Sequence, residues 1–410
     1  MVTHPNSRRP GAAGADVDPS ASPAPSARLD PASRPARRGS GRSAGPFRPA
    51  RRGVLAAGGA ALLGLGASSC AAYRNHGRPP GGASDGGNGG SDGGGSGGSP
   101  AGGRVDPGKP GSTLTMGLTY IPNVQFAPYY VADQQGYFAD AGVDVTLRHH
   151  GQDEDLFGAL AGGTEQVVVA GADEMMQNRD HDLDVVAFQT VYQKYSVCLV
   201  VREDSDIHGP DDLKGKTLAT PGKMGETWMG LLALLDQAGL TENDVTVETI
   251  GYTQQAALTS KKADGVMGFV NNDVPQFRST GLAVRAVPLE DVPLVGISLG
   301  ASGPVVQERA DELGKVAAAV KRAVQAIIED PKLAIDATKK AVPGVVDADQ
   351  EKVMRATVEA TIPLFGTVAS GWGVPDLGMA KDMSAFMEDS GLTSRRIPAD
   401  EATTDQIPAG

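Results

Sequence analysis

From Thr113 onward, short apolar or alternating runs exchange with helical stretches, the pattern of an α/β fold built on mainly parallel sheets. Leu114, Met116 and Leu118 alternate as a first strand, 127–135 predicts a helix stopped by Gly136, and Val143, Val145 and Leu147 alternate again. A helix over 153–161, a buried strand over 167–170, and apolar strands over 184–191 and 197–201 complete a first lobe. At 202–216 the composition turns polar and turn-rich, and a new cycle begins. It has strands over 217–219, 245–250, 265–269 and 283–287, with helices over 227–238 and 254–260; Gly239 suits a left-handed helix cap. After Pro293 an apolar strand over 294–299 leads to helices near 310–328, 331–341, 347–361 and 377–390.

The pattern predicts a two-lobed α/β body. The first lobe takes 113–201 and 294–395, the second takes 202–293, and the crossings fall near 200–203 and 293–301. Residues 396–410 are expected to be a disordered tail. No internal repeat stands out beyond the α/β alternation. A ligand held between such lobes would be enclosed by hinge closure.

Residues 1–50 are Arg, Pro, Ser and Ala with almost no large apolar side chains, a composition that cannot offset the entropy of ordering. They are expected to be disordered or to lie upstream of the true start. Residues 51–70 run from Arg51-Arg52 through an apolar stretch to Ala67-Ser68-Ser69-Cys70, the charge, apolar core and small-residue order of an export signal. The paired arginines resemble a twin-arginine signal. The last four residues resemble a lipobox, which implies lipidation of Cys70. Residues 71–112 are dominated by Gly, Ser, Asp and Pro and predict a flexible tether. Cys198 is then the one remaining cysteine, so no disulfide is expected.

Charge narrows the partners. Of 37 basic and 49 acidic side chains, ten arginines and three aspartates precede Cys70, leaving 27 against 46 and a net charge of −19 on the exported part. Such a surface has no basic stripe for a phosphate backbone, so no nucleic-acid partner is expected.

Four segments carry a family resemblance: 120–132 (YIPNVQFAPYYVA) followed by Gln135-Gly136-Tyr137-Phe138; Ala172-Asp173-Glu174; Leu213-Lys214-Gly215-Lys216 through 221–228 (PGKMGETW); and Ala263-Asp264-Gly265-Val266 with 268–275 (GFVNNDVP). On these the body, about 113–390, resembles the NMT1/THI5-like family of periplasmic solute-binding proteins. In the fourth segment Asp273 stands where Glu is usual and Gly265 where Ala is commoner. The resemblance implies a type II-like periplasmic-binding-protein fold, a small-molecule ligand, ABC permease subunits as partners, and no reaction and no cofactor.

Each segment also falls where a cleft would want it, since ligands in open α/β sheets lie beyond the carboxyl ends of strands. Tyr120, Asn123 and Gln125 follow the first strand; Tyr120 could stack on a flat ring while Asn123 or Gln125 bonds its edge, or Tyr120 is core and Asn123 a turn residue. Gly225-Glu226-Thr227 opens a helix whose free N–H groups suit a polar ligand group, unless Thr227 caps them itself. Glu174 is either a dipole-favoured carboxylate or an acceptor for a ligand amine. Asn271, Asn272 and Asp273 form a polar group at a strand end, or a helix cap; Tyr195 is either a cleft wall or packing.

Catalytic motifs fail on context. The G-x-S-x-G stretch 296–300 has no His after it, the last being His208, and reads as a strand. The phosphate-loop-like 209–217 has five residues between its glycines and precedes a strand that it should follow. His149, His150 and His181, with Asp180, Asp182 and Asp184, lack metal-ligand spacing and are expected in solvated loops. The expected protein is a monomeric, lipid-anchored binder on the extracytoplasmic face, taking a small heterocycle such as a thiamine-pyrimidine-like precursor. The alternatives are a nitrate, taurine or sulfonate binder, and a pyrimidine-synthesising enzyme of the THI5 type.

Overall fold

A computed structural model describes residues 107–119, 122–150, 155–342, 344 and 347–407. The expected signal segment with Cys70, most of the expected tether, and Tyr120 lie outside the described residues. Among the described residues no helix is long and apolar enough to cross a membrane.

Among the described residues ten strands form two five-stranded sheets. They are β1 (Leu114–Leu118), β2 (Val145–His149), β3 (Val167–Gly171), β4 (Val185–Thr190), β5 (Val197–Arg202), β6 (Thr217–Thr220), β7 (Thr246–Thr249), β8 (Gly265–Phe269), β9 (Val284–Pro288) and β10 (Ile297–Ser302). The orders are β2-β1-β3-β10-β4 and β7-β6-β8-β5-β9. In the first, β1 runs parallel to β2 and β3, and β10 is antiparallel to β3 and β4. In the second, β6 runs parallel to β7 and β8, and β5 is antiparallel to β8 and β9. In both, the antiparallel strand is the one that enters straight after a crossing, so the two lobes share one connection order. This is the two-lobed, mainly parallel α/β fold that the hydrophobic pattern predicts.

The central strands are buried on both faces, which is why β3 shows a continuous apolar run in place of alternation. Helix Ala127–Gln134 stops where expected, at Gln135 and a left-handed Gly136 (φ 74°). Helix Gly225–Gln237 is followed by a left-handed Gly239. Helix Ala310–Glu329 buries Leu313, Val316, Ala317, Val320, Ala323, Val324 and Ile327, one stripe at helical spacing, against the first sheet. Asp347 and Asp376 cap helices Ala348–Thr361 and Leu377–Asp389 with their carboxylates.

Four expectations change. β5 pairs with β8 and β9, so the first crossing is 191–196 and not 200–203; an apolar run that is buried in either sheet carries no mark of which sheet it joins. The return crossing is 289–296, with β10 starting at Ile297. The tail is packed through Ile407: Ile397, Ala402, Thr403 and Ile407 are buried, and Thr404 N–H donates to the Ala187 carbonyl. Residues 107–112, expected in the tether, pack on the body instead. Buried Arg309 donates to the carbonyls of Pro107 and Ser112 and pairs with Glu312, fixing 107–112 on the body.

His149 and His150 are not in a solvated loop. Tyr130 Oη lies 2.7 Å from His149 Nε2, on one side of the β2 end. On the other, buried His150 and Arg148 both reach Glu165 Oε1, the arginine at 2.7 Å. His181, Asp182 and Asp184 are exposed as expected.

Candidate functional site

The carboxyl ends of β3 and β6, one from each lobe, deliver two helix N-termini to the same place. β3 ends at Gly171 and helix Ala172–Asp180 begins at once; its first N–H groups, of Ala172 and Asp173, donate to the Gly296 and Val295 carbonyls of the return crossing. β6 ends at Thr220, and a loop with left-handed Gly225 (φ 71°) starts helix Gly225–Gln237. Glu226 is its second residue.

Between them stands Tyr195, on the first crossing. Its hydroxyl donates to Asp173 Oδ2 at 2.7 Å and lies 3.2 Å from the Glu226 carbonyl oxygen, so one side chain of the hinge touches both lobes. Asp173 Oδ1 accepts from Glu174 N–H at 2.8 Å, and Glu174 Oε2 from Gly171 N–H at 3.3 Å. Glycines make room for these acids. A Cβ on Gly171 would lie 2.2 Å from Asp173 Oδ1 and 2.9 Å from Glu226 Oε1, and one on Gly296 would lie 3.7 Å from the same Glu226 oxygen. Glu226 is 8% exposed, and its Oε1 has no hydrogen-bond partner among the described residues.

Three carboxyl groups, those of Asp173 and Glu226 buried and that of Glu174 half-buried, thus meet with no cation beside them among the described residues. Lys223, just upstream of Glu226, is held by Glu242 and lies over the Trp228 ring, 4.9 Å from its centroid. Lys194, beside Tyr195, is exposed. Burial first, and Glu174 second, push the Asp173 carboxyl up to about 7. Burial raises Glu174, and burial with the charges of Asp173 and Glu174 lifts Glu226 well above the usual carboxylate range. Burial likewise keeps the Tyr195 hydroxyl a neutral donor. The positive ends of two helix dipoles offset part of this cost but do not neutralise it. Chemically, the cluster offers three carboxyl groups and one tyrosine hydroxyl, the latter spent on Asp173, with no basic side chain beside them among the described residues.

The other expected site residues divide. Asn271, 1% exposed at the end of β8, donates through Nδ2 to Tyr192 Oη (3.3 Å) and Thr361 Oγ1 (3.1 Å), bonding the second lobe to the first crossing and a C-terminal helix. Thr227 is buried beside Thr220, 3.5 Å between hydroxyls, and caps nothing; N-cap Met224 makes no side-chain cap bond either. Asn272 is the N-cap position of helix Asp273–Ser279, without a side-chain bond. Asp273 turns back to accept from Phe269 N–H at 2.7 Å, and burial raises it to about 6. Asn123 caps a short 3-10 turn by accepting from Gln125 N–H at 2.8 Å. Hydrogen bonds among the described residues join Glu174 to Asp173, Asp173 to Tyr195 and Tyr195 to the Glu226 backbone, but tie none of Asn123, Gln125, Asn272 and Asp273 to that cluster.

Three features escape sequence reasoning. Asp173 is the hub of the cluster, yet an acidic residue in a first helical turn is ordinary. Met224 and Tyr252, 77% and 78% exposed, stand at the carboxyl ends of β6 and β7 on the rim of the second lobe. A cavity of about 690 Å³ runs along both crossings, walled by Tyr192, Val270, Leu294 and Met383, and borders the cluster at Ala172, Tyr195 and Gly296.

The model of a family described as NMT1/THI5 like matches residues 123–334. The riboflavin-binding protein RibY of Chloroflexus aurantiacus is 29% identical over 304 residues, 72% of this chain and 86% of that protein. A formylaminopyrimidine-binding protein of Halalkalibacterium halodurans is 26% identical over 170 residues, 41% of this chain and 51% of that one. In fold, the body is similar to the periplasmic aliphatic sulphonate-binding protein SsuA of Escherichia coli, with a TM-score of 0.57 and 15% identity over 71% of this chain and 91% of that chain.

Proposed function

The chain belongs to the NMT1/THI5-like family, and from that premise we propose that it is an extracytoplasmic solute-binding protein that encloses a flat nitrogen heterocycle between its lobes and hands it to an ABC permease. The observation that carries this is the meeting of Asp173, Glu174 and Tyr195 from one side with Glu226 from the other, without a basic side chain among them. An anion site would use Arg or Lys donors, so nitrate, taurine and other sulfonates are disfavoured. An acceptor-rich edge fits a ring bearing amino and N–H donors, and the favoured solute is a thiamine-pyrimidine-like aminopyrimidine. Tyr120, Asn123, Gln125 and Asn271 remain candidates for the wall that receives the rest of the ring, with Gly225, Thr227, Asn272 and Asp273 along the second lobe.

The flavin reading is second, and one observation favours it: the riboflavin-binding relative matches over 72% of the chain. A thermal-shift screen of the purified body against aminopyrimidines, riboflavin, nitrate and taurine separates the cases. Aminopyrimidines are expected to raise the midpoint by several degrees at millimolar concentration. Stabilisation by anions alone would overturn the heterocycle reading, and stabilisation by riboflavin alone would move the assignment to a flavin.

Carriage without chemistry is part of the proposal. The synthase alternative would need a cysteine-rich iron motif, whereas the chain has Cys70 at its export signal and Cys198 buried in β5. Ser298 of the hydrolase-like stretch is buried in β10 and bonds the Gly296 carbonyl. The Cys70 lipid anchor and the tether would hold a monomeric body near its permease.

A further inference from the structure

We infer that the site takes its ligand as a cation: the ring nitrogen and exocyclic amine of the bound heterocycle together form an amidinium edge that pairs with the Glu226 carboxylate, beside Asp173 and Glu174. This rests on the heterocycle reading and goes beyond it by assigning the charge state of the ligand and the residues that select it.

The argument starts from Glu226 Oε1, which is buried, unpartnered and set between Gly171 and Gly296. A buried polar oxygen without a donor costs free energy, and a buried carboxylate without a counter-charge costs more. The groups facing it are acidic or neutral. Helix Ala172–Asp180 offers Asp173 and Glu174, and the first crossing offers Tyr192 and Tyr195, with Lys194 turned to solvent. Helix Gly225–Gln237 offers only Glu226 itself, with Lys223 before it bound to Glu242. Glu290 and Asp291 of the return crossing are exposed. Among the described residues no group of three His, Cys, Asp or Glu side chains is arranged to hold a metal ion, so an organic donor edge is the fitting counter-charge. A planar amidinium presents two parallel N–H donors, the geometry a carboxylate accepts in a bidentate pair.

The proton balance is simple. Where the solute arrives neutral, a proton leaves a carboxyl of the cluster and joins the ring nitrogen, and the carboxylate so formed is paired as it forms. When the pH is high enough that both cluster and free ligand have lost that proton, binding must take it from solvent, so affinity falls.

Benzamidine and benzamide test this on the wild-type protein, because they share shape and differ in charge; 4-amino-5-hydroxymethyl-2-methylpyrimidine and riboflavin extend it. Benzamidine is expected to bind at least tenfold more tightly than benzamide, and Glu226→Gln to abolish that preference. The aminopyrimidine is expected to bind more weakly at pH 9 than at pH 6, with proton uptake at the higher pH shown by calorimetry in two buffers. Equal binding of benzamide and benzamidine would overturn the inference, as would aminopyrimidine affinity independent of pH; the second result leaves the heterocycle reading intact. Binding of riboflavin alone would overturn the inference together with the aminopyrimidine assignment, and binding of none of the four would remove both.

Discussion

Asp173 shows how a single side chain couples the site to the stability of the whole body. In the unfolded chain its carboxyl titrates near 3.8, while in the folded protein burial and the neighbouring Glu174 push it up to about 7. Between those values the folded state keeps a proton that the unfolded state has lost. The stability associated with Asp173 is therefore fully present below about pH 4 and is lost as pH rises through about 7, with a limiting slope of about 1.4 kcal/mol per pH unit for each proton so held. Glu174 and Glu226 are shifted in the same direction and add to the trend. Urea midpoints of the ligand-free protein are expected to fall from pH 4.5 to pH 7.5, and Asp173→Asn to flatten the fall. A wild-type midpoint that rose across this window would contradict the placement of these acids. Ligand donors should reverse the sign locally, since a paired carboxylate is no longer penalised for its charge.

At the scale of elements, register decides which side chains fit beneath a strand. Gly117 of β1 pairs with Arg148 of β2 and Val168 of β3, and a Cβ there would lie 2.0 Å from Glu165 Oε2. Glu165 is fully buried and bound by His150 and Arg148, so it cannot swing away without leaving a buried charge unpaired. Gly117→Ala is expected to cost about 3 kcal/mol or more, the usual price of breaking a buried ion pair, measured as a drop in the urea midpoint with an unchanged m-value. Alternation and capping residues made most elements legible beforehand: Leu114, Met116 and Leu118 mark β1, Gly136 marks a helix end, and Asp347 marks a helix start. The sheet that an element joins was not legible, because 197–201 is equally apolar in either lobe. Nor was the packed tail, since Ile397 and Ile407 are too far apart to show a period. For the candidate site, Glu174 and Glu226 could be singled out as acids opening helices. Their convergence through Asp173 and Tyr195 depends on where the crossings run, which no local pattern encodes.

For the molecule as a whole, the proposed hinge closure raises the question of what would set the balance between open and closed lobes before a ligand arrives. Two cross-lobe contacts oppose each other in character. Asn271 joins the end of β8 to Tyr192 and Thr361 by neutral hydrogen bonds, which favour closure at any pH near neutrality. The acid cluster favours closure only while its carboxyls hold protons or a donor-bearing ligand, because three neighbouring negative charges repel. Removing the neutral contact should therefore expose the acid one. Asn271→Ala forgoes two hydrogen bonds worth about 1 kcal/mol each, enough to lower the closed-to-open ratio by about tenfold or more. The ligand then binds a rarer state, and its apparent Kd is expected to weaken as the closed fraction falls, while scattering of the ligand-free variant reads closure apart from any direct contact of Asn271 with the ligand. Small-angle scattering of the ligand-free variant should show a larger radius of gyration than wild type, with the difference greater at pH 8 than at pH 5 and erased by saturating ligand. Identical radii at both pH values, with an unchanged Kd, would mean that Asn271 only packs the β8 end and that closure is governed elsewhere.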